Sequence, residues 1–264
     1  MKLADKVVVV TGGASGIGRA LAARFVKEGA RHVAIADLDE ATAKRVAKEI
    51  DAERCVGFGV DVAREDDVRR LVAETEKVGA IDLFCSNAGI LSTDANGRDA
   101  TSASNETWER AWAVNVMAHV YAARAVLPSM KERKSGYFLH TVSAAGLLSQ
   151  IAAAPYSTTK HAAIGFAESL AITHKDDGIK VSVLCPQAVD TAMIQGAASM
   201  FGADVDGVVS AEHVAQCVVD ALEQETFLIL PHPKVAEYMN HKVASYDRWL
   251  GGMAKLRRMI IAGR

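Results

Sequence analysis

Two periodicities alternate along the chain. The runs "KVVVVTG", "HVAIAD", "CVGFGVD", "IDLFCSN", "GYFLHTVS", "KVSVLCPQ" and "TFLILP" are mostly apolar without interruption, as strands covered on both faces must be. Between them lie amphipathic stretches. In "EDDVRRLVAETEKVG", Val68, Leu71, Val72 and Thr75 recur at helical spacing while charged residues take the opposite face. Seven such strands alternating with helices predict an α/β fold: a doubly wound, seven-stranded parallel sheet with helices on both faces. Ligands of such sheets bind beyond the carboxyl ends of the strands, so functional residues are expected just after strands. No linker, repeat or low-complexity block divides residues 1–264, which are expected to form one domain.

Composition narrows the partners. Half of the 264 residues are hydrophobic, enough to bury a full core. Lysine plus arginine number 30 against 32 for aspartate plus glutamate, so no overall field draws nucleic acid or a membrane surface, and a small molecule is the expected partner. Cys55, Cys85, Cys185 and Cys217 lie far apart without a CxxC pair, and the histidines are scattered. Neither a disulfide framework nor a metal site is implied, and a reducing compartment fits. The opening "MKLADKVVVVTGG" reaches glycine after four valines, and no segment approaches the roughly 18 apolar residues of a membrane span. A cytoplasmic location is the expectation.

The first chemical signal is "VVVVTGGASGIGRALAARFVKEG", a buried strand running through Thr11, Gly12, Ser15, Gly16, Ile17 and Gly18 into a helix. Glycine permits tight backbone angles and close approach of a phosphate, and a helix N-terminus offers free N–H groups with partial positive charge. A pyrophosphate fits there. The second strand ends at Asp37, nineteen residues beyond Gly18, about where an acid accepts from the adenosine ribose hydroxyls and repels a 2′-phosphate. NAD is therefore expected rather than NADP. The other reading of Asp37 is a cap for the helix "LDEATAKR", a task Asp39 could perform equally well.

The second signal is "PYSTTKHAAIGF". Tyr156 and Lys160 stand one helical turn apart, so both point into one pocket. A free phenol titrates near 10, and a lysine cation within roughly 4–6 Å is expected to lower that value and make the tyrosine a usable acid or base. Ser143 ends the fifth strand, at the ligand-bearing edge, where its hydroxyl either binds a substrate oxygen or caps the turn "SAAG". Asn115, inside "WERAWAVNVMAHVYAARAVL", interrupts an apolar helical face, and so either hydrogen-bonds internally or has a functional task.

Taken in order, "TGGASGIG", Asp37, "DV" at Asp61 and Val62, "NAG" at Asn87, Ala88 and Gly89, Asn115, Ser143 and "YSTTK" resemble the short-chain dehydrogenase/reductase family over nearly the whole chain. The resemblance implies a Rossmann-type fold and an NAD-dependent oxidoreductase acting on an alcohol or ketone. It implies that Asp61 and Val62 flank the adenine, that Asn87 to Gly89 support the nicotinamide side, and that Val189 and Thr191 face the carboxamide. Tyr156 exchanges the proton, Ser143 holds the substrate oxygen, Lys160 bonds the nicotinamide ribose, and Asn115 positions a relay water. It also implies a homotetramer formed by the long helices after the fourth and fifth strands, with Ala122, Ala123 and Ala125 allowing close approach, although alanines there equally suit packing against the sheet. Two other readings fit the same motifs: an NADP-linked carbonyl reductase, and a dinucleotide-sensing scaffold without turnover. The complete catalytic set argues against the second.

Some segments depart from the pattern. Gln187 follows Pro186 where the family usually has glycine. Residues 191–210, beginning "TAMIQGAASMFGADVDG", read as a lid over a largely apolar substrate or as a short helix packed on the core. The polar "STDANGRDATSASNET" reads as a solvated loop at the rim of the entrance. In the C-terminal extension, 233–264, Val235, Met239, Val243, Tyr246, Leu250 and Met253 predict one apolar stripe. Lys255, Arg257, Arg258 and Arg264 are expected to form a solvated basic end.

Overall fold

Why the first strand is apolar throughout is answered by its two faces. In the computed structural model, which describes residues 1–193 and 206–262, Val8 and Val10 of β1 (Val7–Thr11) pack into one core and Val7 and Val9 into another. The first core is covered by α1 (Gly16–Lys27), α2 (Glu40–Asp51) and α7 (Ala211–Gln224). The second is covered by α3 (Glu65–Glu76), α5 (Ala118–Glu132) and α6 (Ala154–Thr173). Val68, Leu71, Val72 and Thr75 are all buried on α3, the face their spacing predicts.

The remaining strands are β2 (His32–Asp37), β3 (Cys55–Gly59), β4 (Leu83–Ser86), β5 (Gly136–Thr141), β6 (Ile179–Leu184) and β7 (Leu228–Ile229). All pair in parallel, in the order β3-β2-β1-β4-β5-β6-β7. The expected seven-stranded, doubly wound sheet is thus present. From β1 the chain winds outward first through β2 and β3, then through β4 to β7, and the reversal opens a crevice at the carboxyl ends of β1 and β4.

Two expectations change. The polar loop after β4 is not simply solvated: Ser92 and Asp94 are buried. The Asp94 carboxylate accepts from the Ala154 amide at 2.9 Å, satisfying the start of α6. The C-terminal stripe is broken, because Ser245 is extended (φ −159°, ψ 93°) and divides α8 (Lys234–Ala244) from α9 (Tyr246–Ala262). Helical register is lost there, so Tyr246 and Leu250 do not continue the face of the buried Val235 and are exposed; Val243, within α8, is exposed as well. Ala122 and Ala123 take the other use open to them, packing into the core against the sheet. Among the described residues no helix is long and apolar enough to cross a membrane. The segment expected to form a lid lies, in residues 194–205, outside the described residues.

Candidate active site

One cleft at the β1/β4 reversal is lined by every cofactor residue expected from the sequence, from Gly12 to Thr191, and by Ser143, Tyr156 and Lys160. Asn115 lies behind its wall, fully buried.

At the glycine loop, Gly12 and Gly16 adopt left-handed angles (φ +61° and +48°) that favour glycine. A Cβ on Gly18 would overlap the Gly12 carbonyl and lie 2.6 Å from Asn87 Nδ2. Ser15 precedes α1 but its side chain makes no capping bond, so the first amides of the helix are not taken by that hydroxyl. Thr11 Oγ1 accepts from the Asn87 and Ala88 amides at 3.0 and 3.1 Å, and Asn87 Nδ2 donates to the Thr11 carbonyl at 3.0 Å. These bonds fasten the "NAG" turn to the glycine loop.

The two carboxylates after β2 divide their work. Asp39 caps α2, accepting from the Ala41 and Thr42 amides at 3.0 and 3.3 Å. Asp37 accepts from Ala14 N at 3.0 Å and Leu38 N at 2.8 Å, and lines the cleft. Asp61 lies nearby, 3.5 Å from Arg110 Nη1. On the opposite side, Val189 forms a parallel bridge with Val209 that uses Asp190 N and the Ala188 carbonyl. The N–H of Val189 itself stays outside that bridge, on the strip that lines the cleft. These features together fit a dinucleotide.

The corner that holds Tyr156, Lys160 and Ser143 is assembled by α6 and β5. Tyr156 sits in the first turn of α6, and Lys160 Nζ lies 5.6 Å from the centre of its ring. Lys160 is 3% exposed and donates to the Thr141 carbonyl at 3.4 Å. Ser143 Oγ caps the 3₁₀ turn Ala144–Gly146 by accepting from Ala145 N at 3.1 Å, so the hydroxyl at the cleft also serves the turn. Asn115 lies in a π-helical turn, Ala113–Met117, between α4 (Asn105–Trp112) and α5. Such turns are frequent at functional sites. Its side chain is satisfied internally: Oδ1 accepts from Ile90 N at 2.9 Å, and Nδ2 donates to the Ile90 carbonyl and to Thr159 Oγ1. Thr159 donates in turn to the Tyr156 carbonyl at 2.9 Å.

The electrostatics correct one expectation. Burial raises the Tyr156 phenol above its ordinary value, against a smaller downward pull from the Ser143 hydroxyl. Burial also lowers the Lys160 ammonium from 10.5 to about 8, with Cys185 pulling it weakly back. The neighbouring cation therefore does not win, because desolvation disfavours both charged forms in so enclosed a corner. His119 and His140, scattered in sequence, meet behind it with their Nδ1 atoms 2.9 Å apart. Burial keeps both neutral, His140 falling to about 4.

Sequence reasoning missed Leu38 and Arg110, which line the cleft, and Thr159 and Asp94, which act through other residues. Leu38 was open to inference as an apolar residue directly after Asp37; the other three depend on tertiary placement.

A match to the short chain dehydrogenase family spans residues 6–200. A 1-deoxy-11-beta-hydroxypentalenate dehydrogenase of Streptomyces exfoliatus is 38% identical over 234 residues, 87% of this chain and 84% of that protein. Epidermal retinol dehydrogenase 2 of Mus musculus is 30% identical over 236 residues, 87% and 75% of the two chains. The crystal structure of a short-chain dehydrogenase/reductase from Burkholderia phymatum in complex with NAD superposes with a TM-score of 0.84. It shares 25% identity and covers 92% of this chain and 96% of that one. The chain belongs to the short-chain dehydrogenase/reductase family of oxidoreductases.

Proposed function

We propose that the protein is an NAD-dependent oxidoreductase interconverting a secondary alcohol and its ketone. One observation carries the reading: Tyr156, Lys160 and Ser143 gather at one end of a cleft whose other end is bounded by Asp37, with the glycine loop between them. Two relatives are named as dehydrogenases of a hydroxypentalenate and of retinol, which favours an alcohol as the substrate class. Bound NAD supplies the hydride acceptor, and its reduced form the donor.

The other steps belong to side chains. The Ser143 hydroxyl holds the substrate oxygen, and the Tyr156 phenol gives that oxygen a proton or takes one from it. Because burial raises the phenol, Tyr156 is protonated at neutral pH and ready to serve carbonyl reduction. Alcohol oxidation needs the phenolate, so its rate climbs as pH rises into the alkaline range. Asn115 holds the Ile90 main chain against Thr159, and so keeps the turn bearing Tyr156 in register with the "NAG" segment. Asp37 disfavours a 2′-phosphate, which supports NAD over NADP.

Tyr156→Phe tests the reading. Turnover of a secondary alcohol, followed by nicotinamide absorbance, is expected to fall roughly 10²- to 10⁴-fold while NAD binding persists; unchanged turnover would remove Tyr156 from its role. Titration of the unmodified protein with both cofactors should give tighter NAD binding, and the opposite order would overturn the Asp37 argument.

A further inference from the structure

Just beyond β6, one peptide unit is held at both ends. The Pro186 carbonyl accepts from Ala144 N at 2.9 Å and from Ser143 Oγ at 3.4 Å. The N–H of the same peptide, on Gln187, donates to His232 Nδ1 at 3.2 Å. His232 stands between β7 and α8 and is 3% exposed. Accepting at Nδ1 fixes its tautomer, with the proton on Nε2. The peptide it meets opens the strip through Val189 and Thr191 that lines the cleft.

We propose that His232, as the neutral Nε2–H tautomer, is a positioning residue: its acceptor nitrogen orients the Pro186–Gln187 peptide, and through that peptide the Ser143 hydroxyl and the Val189 strip. The proposal rests on the catalytic reading above. Protonation at Nδ1 would set a donor against the Gln187 N–H, and the peptide would have to turn away. The groups facing the ring are the Gly207 and Ala188 carbonyls, Asp206, and His213 of α7. Lys234 and Tyr238 of α8 act on it through Asp206, whose Oδ1 they share at 3.0 Å each. Burial is the largest influence and disfavours the cation, His213 adds to it, and the two carbonyls and Asp206 oppose it. The cation therefore forms only below the ordinary histidine value of 6.5.

The test is the pH profile of kcat for ketone reduction by NADH, the direction in which Tyr156 stays protonated across the acid range, in wild type, His232→Leu and His232→Asn. Leucine removes the acceptor and is expected to lower kcat about tenfold at pH 7, the scale of a small misplacement of a catalytic group. Asparagine keeps an acceptor oxygen near the Nδ1 position without titrating. It should hold kcat within about twofold and lose the wild-type fall in rate below pH 6.5. Wild-type kcat in His232→Leu, or the same acid limb in His232→Asn as in wild type, would overturn the proposal. If His232→Leu does not fold, the comparison of wild type with His232→Asn decides alone. Tyr156→Phe in the same assay keeps the two readings apart. Its loss of turnover beside wild-type behaviour of both His232 variants overturns the positioning role only; unaltered turnover overturns the catalytic reading and this role with it.

Discussion

From Asp37 through the glycine loop the walls of the cleft are mostly main chain: left-handed glycines and helix-terminal amides, the loop being fastened by Thr11 and Asn87. At the Tyr156 end the working groups are side chains, and each is pressed toward its neutral form by burial. The first end recognises by shape. It has little to lose to a change of pH and much to lose to an added carbon. The second depends on proton occupancy, so its sensitivities are reversed.

The largest expected effect lies at the second end. Lys160 titrates near 8 when folded against 10.5 ordinarily. Below pH 8 both folded and unfolded chains hold this proton, and the fold carries the whole cost of a buried cation. Between pH 8 and 10.5 the unfolded chain keeps a proton that the folded one has lost, so stability rises with pH. The gap corresponds to on the order of 3 kcal/mol. Lys160→Met should erase that rise, read as the wild-type minus variant difference in urea unfolding from pH 7 to 10; a pH-independent difference would break the contrast.

Next in size is Gly18→Ala. Its methyl has no room beside the Gly12 carbonyl and Asn87, so a loss of about 1–3 kcal/mol of stability is expected from overpacking, with weaker NAD binding. Thermal melting with and without NAD measures both, and neither should depend on pH between 7 and 9. The smallest effect is at Asp94. Removing the acceptor of Ala154 N in Asp94→Ala should cost about 1 kcal/mol, the scale of a lost helix cap. It should also lower kcat modestly through Tyr156 while leaving NAD affinity unchanged, as isothermal titration would report.

Most of the fold was legible because its signals are local. Val7 to Val10 can be apolar without interruption only if both faces are covered, and they are. β7 covers only Leu228–Ile229 within the expected "TFLILP" and pairs with β6 alone at the edge of the sheet. The break at Ser245 carries neither glycine nor proline to announce it. In the site, the glycine loop, Asp37 and the tyrosine–lysine pair were readable from spacing on single elements. Asp94, Thr159 and His232 were not, since each acts on a partner brought close by the fold alone. The direction of the Tyr156 shift was misread for the same reason: burial belongs to the assembled corner and not to the spacing of two residues on a helix.

The bond from Asp94 to Ala154 has a consequence for protein engineering. The rim loop after β4 is an attractive cassette for altering substrate scope, yet its fourth residue from Leu91 anchors the helix that presents Tyr156. A graft that exchanges the tip around Gly97 leaves that anchor in place. One that replaces the stretch from Ser92 onward swaps the foundation along with the façade, and a loss of turnover in such a chimera would report on architecture before it reported on substrate fit.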